Sequence, residues 1–120
     1  MITQDDIDAF EYYNKLDLTL ADYQKASAKT AIYPAGASIL YPALGLAGEA
    51  GEVANKVKKV IRDGKLDREG ISDEIGDCLW YMAALCRDLN INLAEVAHDN
   101  LDKLNDRKRR NSLNGSGDKR

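Results

Sequence analysis

The chain has 120 residues and is 44% hydrophobic, enough for one domain with a real core and too short for two ordinary ones. Its formal charge of −3 hides an asymmetry: residues 1–100 carry 10 basic and 17 acidic side chains, and residues 101–120 carry 7 basic and 3 acidic. The longest apolar run, Cys78 to Cys86, is about half a membrane span, and the N-terminus lacks a signal peptide's basic and apolar regions, so composition excludes a membrane protein and a disulfide-stapled mini-domain.

Apolar residues recur at three-to-four spacing, which predicts an all-α bundle of about five helices. Thr3 with Asp6 opens a first helix to about Lys15, and Thr19 with Asp22 a second to about Lys29, each a cap with an acid three residues later. A loop at Tyr33-Pro-Ala-Gly36 precedes a third helix from about Ile39 to Arg62, stopped by Gly64. Asp67 or Ser72 caps the fourth, which reaches about Asn90; Asn92 with Glu95 caps the fifth, which fades near Arg110. Residues 1–110 are read as the single domain. Residues 111–120 are read as a flexible polar tail. The two cysteines, about 12 Å apart on one helix, cannot pair and read as small buried hydrophobes in a reducing compartment.

The third helix contains Glu49-Ala-Gly-Glu52 and the fourth Glu74-Ile-Gly-Asp77. Each pair sits at i, i+3 on one helix face, where like charges repel. At 100° per residue, Ala50, Val53, Val57 and Ile61 fall about 40–120° from Glu49, and Ile71, Ile75, Cys78, Met82 and Cys86 occupy the same arc from Glu74. The acids are thus expected to border the buried face alike on both helices, and an antiparallel hairpin would bring all four together. Such hard oxygen ligands suit Mg²⁺ with substrate phosphates. Two solvated acidic faces are the alternative. Gly45, Gly48, Gly51 and Gly76 permit close approach of a helix or of a ligand. Glu95-Val-Ala-His98 is one element of a di-iron site, but a chain with one histidine cannot complete it.

The stretches Leu44-Gly-Leu-Ala-Gly-Glu-Ala-Gly-Glu-Val53 and Asp73-Glu-Ile-Gly-Asp-Cys-Leu-Trp-Tyr81, with 21 residues between Glu52 and Glu74, resemble the MazG-like all-α nucleoside triphosphate pyrophosphohydrolases of compact phage and bacterial type. Asn100-Leu-Asp-Lys103 and the ending Gly115-Ser-Gly-Asp118 with Arg120 extend the resemblance. It implies Mg²⁺, with Mn²⁺ as a substitute, held by Glu49, Glu52, Glu74 and Asp77. It also implies water attack at the α-phosphorus of a (d)NTP, releasing (d)NMP and pyrophosphate, with Glu49 or Glu52 as base. Lys56, Asn100, Lys103 and Arg107 would contact the substrate. Trp80 would stack on a base or fill a subunit interface, with Tyr41 and Tyr81 as weaker nucleoside-pocket residues. A homodimer or homotetramer in a bacterial or phage-infected cytoplasm is expected. The basic run Arg107–Arg110 lacks the aromatic interleaving of single-strand binders and argues against a nucleic-acid partner. Hydrolysis of an alarmone, and a non-enzymatic interaction protein that retains the fold, are the alternatives.

Overall fold

The computed structural model describes residues 1–5 and 15–119, and all the regular structure among them is helical. Four α-helices follow in order: α1 (Leu20–Ser27), α2 (Leu40–Asp63), α3 (Arg68–Asp88) and α4 (Leu93–Arg109). Single 3-10 turns at Ala28–Thr30 and Ala35–Ala37 lead from α1 to α2. The helix expected over residues 3–15 lies mostly outside the described residues.

The helix boundaries follow from local chemistry. Thr19 accepts from the Asp22 N–H at 3.0 Å, Asp67 from the Gly70 N–H at 3.0 Å, and Asn92 from the Ala94 N–H at 2.9 Å, each satisfying an otherwise orphaned donor. Asp67, not Ser72, is therefore the cap of α3. Gly64 ends α2 with φ 67°, and its N–H donates to the Val60 carbonyl at 2.7 Å. Pro42 sits in the first turn of α2, where its missing N–H costs no helix bond, and is fully buried.

The α2–α3 hairpin is the main packing unit, and α1 lies against α3. Gln24 of α1 ties down the α3–α4 turn at two points: its side chain donates to the Ile91 carbonyl at 2.9 Å and accepts from the Leu93 N–H at 2.9 Å. Cys78, Ala83, Ala84 and Leu93 form the buried apolar centre, and Cys78 and Cys86 are free thiols. No helix among the described residues is long and apolar enough to cross a membrane.

The seam differs from the expected arc. On α2 the less exposed positions are Pro42, Gly45, Leu46, Glu49, Val53, Lys56 and Val60, an arc centred about 10° from Glu49 itself. Ile61, Ile75 and Met82, expected inside, are 88%, 56% and 42% exposed. Glu49 and Glu74 thus lie within the helix–helix seam, while Glu52 and Asp77 border it.

Candidate functional site

The hairpin brings Glu49 of α2 together with Glu74 and Asp77 of α3: one ligand atom from each lies within 4.8 Å of the others. Glu49 and Glu74 are half-buried and Asp77 is exposed. Glu52 lies outside this trio and is exposed, yet its charge still acts on Glu49. A hydrogen bond shared with Glu74 raises the Glu49 carboxyl to about 7, with desolvation and the charges of Asp77, Glu74 and Glu52 adding in the same direction. Like charges packed this closely favour the protonated form of Glu49. The donor set is all hard oxygen, and it fits a divalent cation that would replace that proton.

Aromatic residues flank the trio. Desolvation raises the Tyr81 hydroxyl, with Tyr41, Glu49 and Asp77 contributing, and Tyr23 is raised by desolvation and by the charge of Asp77. Tyr81 contacts Trp80 edge-on at 5.1 Å and Tyr41 at 6.4 Å, and Tyr41 stacks on Tyr33 at 4.8 Å and 15°. Trp80 donates its indole N–H to Thr30 Oγ1 at 2.7 Å and meets Tyr33 edge-on. Trp80 therefore helps join the loop to α3. Gly45 sits under this wall: a Cβ there would run into the Tyr81 ring, whereas Gly48, Gly51 and Gly76 face open space. Within the chain, only Gly45 of the four is required by close packing among the described residues.

The other expected substrate contacts lie elsewhere. Lys56 lines a cavity of about 600 Å³ at the hairpin turn, together with Lys59, Lys65 and Arg68. Asn100 is exposed on α4. Lys103 pairs with Asp118 at 3.2 Å. Arg107 is 3% exposed; its Nη2 donates to the Asp118 carbonyl at 2.6 Å and lies 3.5 Å from that residue's carboxylate, while its buried Nε has no partner among the described residues. The tail thus engages both cations, and their hydrogen bonds and ion pairs join none of the carboxylate trio. His98 is exposed, 3.7 Å from Asp99 and 3.4 Å from Asp102. Spacing gave no hint of Tyr23 or of the Asp88 anchor described below: one lies on a separate helix, and the other acts through a loop.

An all-helical hairpin in which the first acid of an ExxE meets both acids of an ExxD defines the class. Residues 40–111 match the MazG nucleotide pyrophosphohydrolase domain. The chain is 45% identical over 109 residues to the Gene 37 protein of Mycobacterium phage L5, covering 82% of this chain and 96% of that protein. No solved structure gives a significant match. The chain belongs to the MazG nucleotide pyrophosphohydrolase family.

Proposed function

We propose that the protein is a Mg²⁺-dependent nucleoside triphosphate pyrophosphohydrolase that converts a (d)NTP to its monophosphate and pyrophosphate. The convergence of Glu49, Glu74 and Asp77 within 4.8 Å, in a member of this family, carries the proposal. These three carboxylates would hold Mg²⁺, with Mn²⁺ able to replace it. When bound, the ion supplies charge stabilisation at the phosphoryl oxygens.

Glu52, outside the trio and on the same helix, orients a water and accepts its proton. The water oxygen forms a bond to the α-phosphorus as the bond to the α–β bridging oxygen breaks, and pyrophosphate leaves. Lys56, half-buried one turn beyond Glu52, offers positive charge to the departing phosphates. Asn100, Lys103 and Arg107 stand as phosphate or sugar contacts, the two cations being reached once Asp118 releases them. Tyr41, Trp80 and Tyr81 supply the nucleoside wall.

The assembly is a homodimer or homotetramer. The exposure of Leu40, Leu44 and Ile61 on α2, at 62%, 65% and 88%, supports that reading. We assign the protein to the cytoplasm, where nucleotides reside and its two free thiols stay reduced.

The test is a panel of NTPs and dNTPs with Mg²⁺, assayed for monophosphate and pyrophosphate. Both products are expected in equal amounts. No hydrolysis of any nucleotide by well-folded protein overturns the proposal, and orthophosphate with a diphosphate would place the attack elsewhere on the chain.

A further inference from the structure

Ile39, between the second 3-10 turn and α2, has φ 69° and ψ −54°, and the Leu40 N–H donates to the Ser38 carbonyl at 2.7 Å. This is a γ-turn with positive φ at a β-branched residue, a conformation such residues rarely adopt. Ile39 is 44% exposed, so burial of its side chain does not impose the turn. Strain of this kind persists only where surrounding groups over-determine it.

Asp88, at the far end of α3, supplies that constraint. Its side chain is 9% exposed. It accepts from the Ile39 N–H at 2.9 Å and from the Tyr33 hydroxyl at 2.8 Å. Arg87 donates to the same hydroxyl at 3.0 Å and lies 6.0 Å from the Tyr33 ring centroid. One carboxylate thus fixes both ends of the loop, at residues 33 and 39. The loop in turn sets the Tyr33–Tyr41 stack, and Tyr41 meets Tyr81, which feels the charges of Glu49 and Asp77. The hydrogen-bonded anchor is therefore linked by successive ring contacts to the edge of the carboxylate site.

The carboxylates serve phosphates, which are the same in every nucleotide. Ring faces and edges serve the base. We propose that Asp88 is a positioning residue that holds residues 33–41 as the nucleoside-facing wall of the triphosphate site, so that base selectivity depends on it and phosphate affinity does not. This rests on the pyrophosphohydrolase reading above.

The test compares nucleoside triphosphates with inorganic tripolyphosphate, which has no base. In Asp88→Asn, KM for the preferred nucleotide rises about tenfold, the scale of one base–aromatic contact, and kcat stays within about twofold. The spread of kcat/KM among bases narrows. The Ki of tripolyphosphate is unchanged. Tyr33→Phe, which keeps the ring and removes the anchored hydroxyl, shifts KM in the same direction by less, and serves where Asp88→Asn does not fold. Calorimetric binding of a non-hydrolysable triphosphate, with Mg²⁺ present, reads the same split without turnover. Parallel weakening of tripolyphosphate, or no change in selectivity in either variant, overturns the proposal, as does a wild-type protein that binds tripolyphosphate as tightly as any nucleotide. A protein that binds nucleotides with this split yet hydrolyses none loses the enzymatic reading and keeps the positioning one; an active enzyme without the split loses only the latter.

Discussion

Glu49 is the residue whose environment says most about the site. Its carboxyl is raised from 4.5 to about 7, first by the hydrogen bond with Glu74 and then by desolvation and neighbouring acids. A folded value above the unfolded one means that folding is favoured while the group is protonated. That contribution is whole below about pH 4.5 and is lost as pH rises through about 7. The melting temperature of metal-free protein should therefore fall over this window, and Mg²⁺ should raise it more at pH 8 than at pH 6; a scan of melting temperature against pH, with and without Mg²⁺, checks both. Asp88 behaves oppositely: burial pushes it up, but the Ile39 N–H, the Tyr33 hydroxyl and Arg87 together hold it below the ordinary value, so its contribution is lost only as pH falls through the acid range. The roles of the carboxylates also separate by mutation. Glu49→Gln and Glu74→Gln should abolish calorimetric Mg²⁺ binding and turnover together. Glu52→Gln should keep Mg²⁺ binding and the fold while turnover falls about 10²- to 10⁴-fold, the usual worth of a general base. The i, i+3 spacing made all four acids legible in the sequence, but only the packed seam shows that three converge while Glu52 stands apart. Asp88 was not legible at all, because its partners lie 49 and 55 residues away and nothing local marks it.

At the scale of the helix, boundaries were readable and faces only in part: Ile71, Cys78 and Cys86 lie inward as expected, and Ile61, Ile75 and Met82 do not. Thr19, Gly64 and Asn92 fulfil their capping roles, since a cap depends on neighbours within four residues. The arc turned toward the partner helix depends on where that helix lies, and the hairpin rotated it onto the carboxylates. The glycines of α2 show the same limit: spaced three apart in sequence, they differ in what stands opposite. Gly45→Ala drives a methyl into the Tyr81 ring, an overpacking cost of about 1–3 kcal/mol. Gly48→Ala meets nothing within 4 Å of the same chain. Both substitutions gain the same helix propensity, about 1 kcal/mol, so the difference between them isolates the ring contact. Chemical denaturation should find Gly45→Ala less stable than Gly48→Ala by about 1–3 kcal/mol, and Gly45→Ala should also weaken nucleotide binding by displacing Tyr81.

At the scale of the whole molecule, the described residues leave large apolar side chains exposed, Leu40 at 62% and Leu44 at 65% among them. The exposed apolar surface is also organised. Leu40, Leu44, Ala47, Gly51 and Ala54 lie about 140–220° round α2 from Glu49 and are exposed, and Lys58 and Arg62 take over the same arc toward the end of the helix. The first half of the helix thus turns Glu49 toward α3 and an apolar stripe away from it. Small residues in the middle of that stripe, with nothing near Gly51, leave room for a second helix to approach closely. Leu44→Glu places a charge in the stripe without disturbing the hairpin, because Leu44 is 65% exposed and Glu is a good helix former. Light scattering after size exclusion should show wild-type protein as a dimer or tetramer and Leu44→Glu as a monomer of lower melting temperature. Glu49, Glu74 and Asp77 come from one chain, so the monomer should still bind Mg²⁺. Loss of turnover with Mg²⁺ binding retained would mean that a neighbouring subunit completes the substrate site, whereas full activity in the monomer would confine the chemistry to a single hairpin. A Leu44→Glu protein that remains dimeric would move the interface off this stripe.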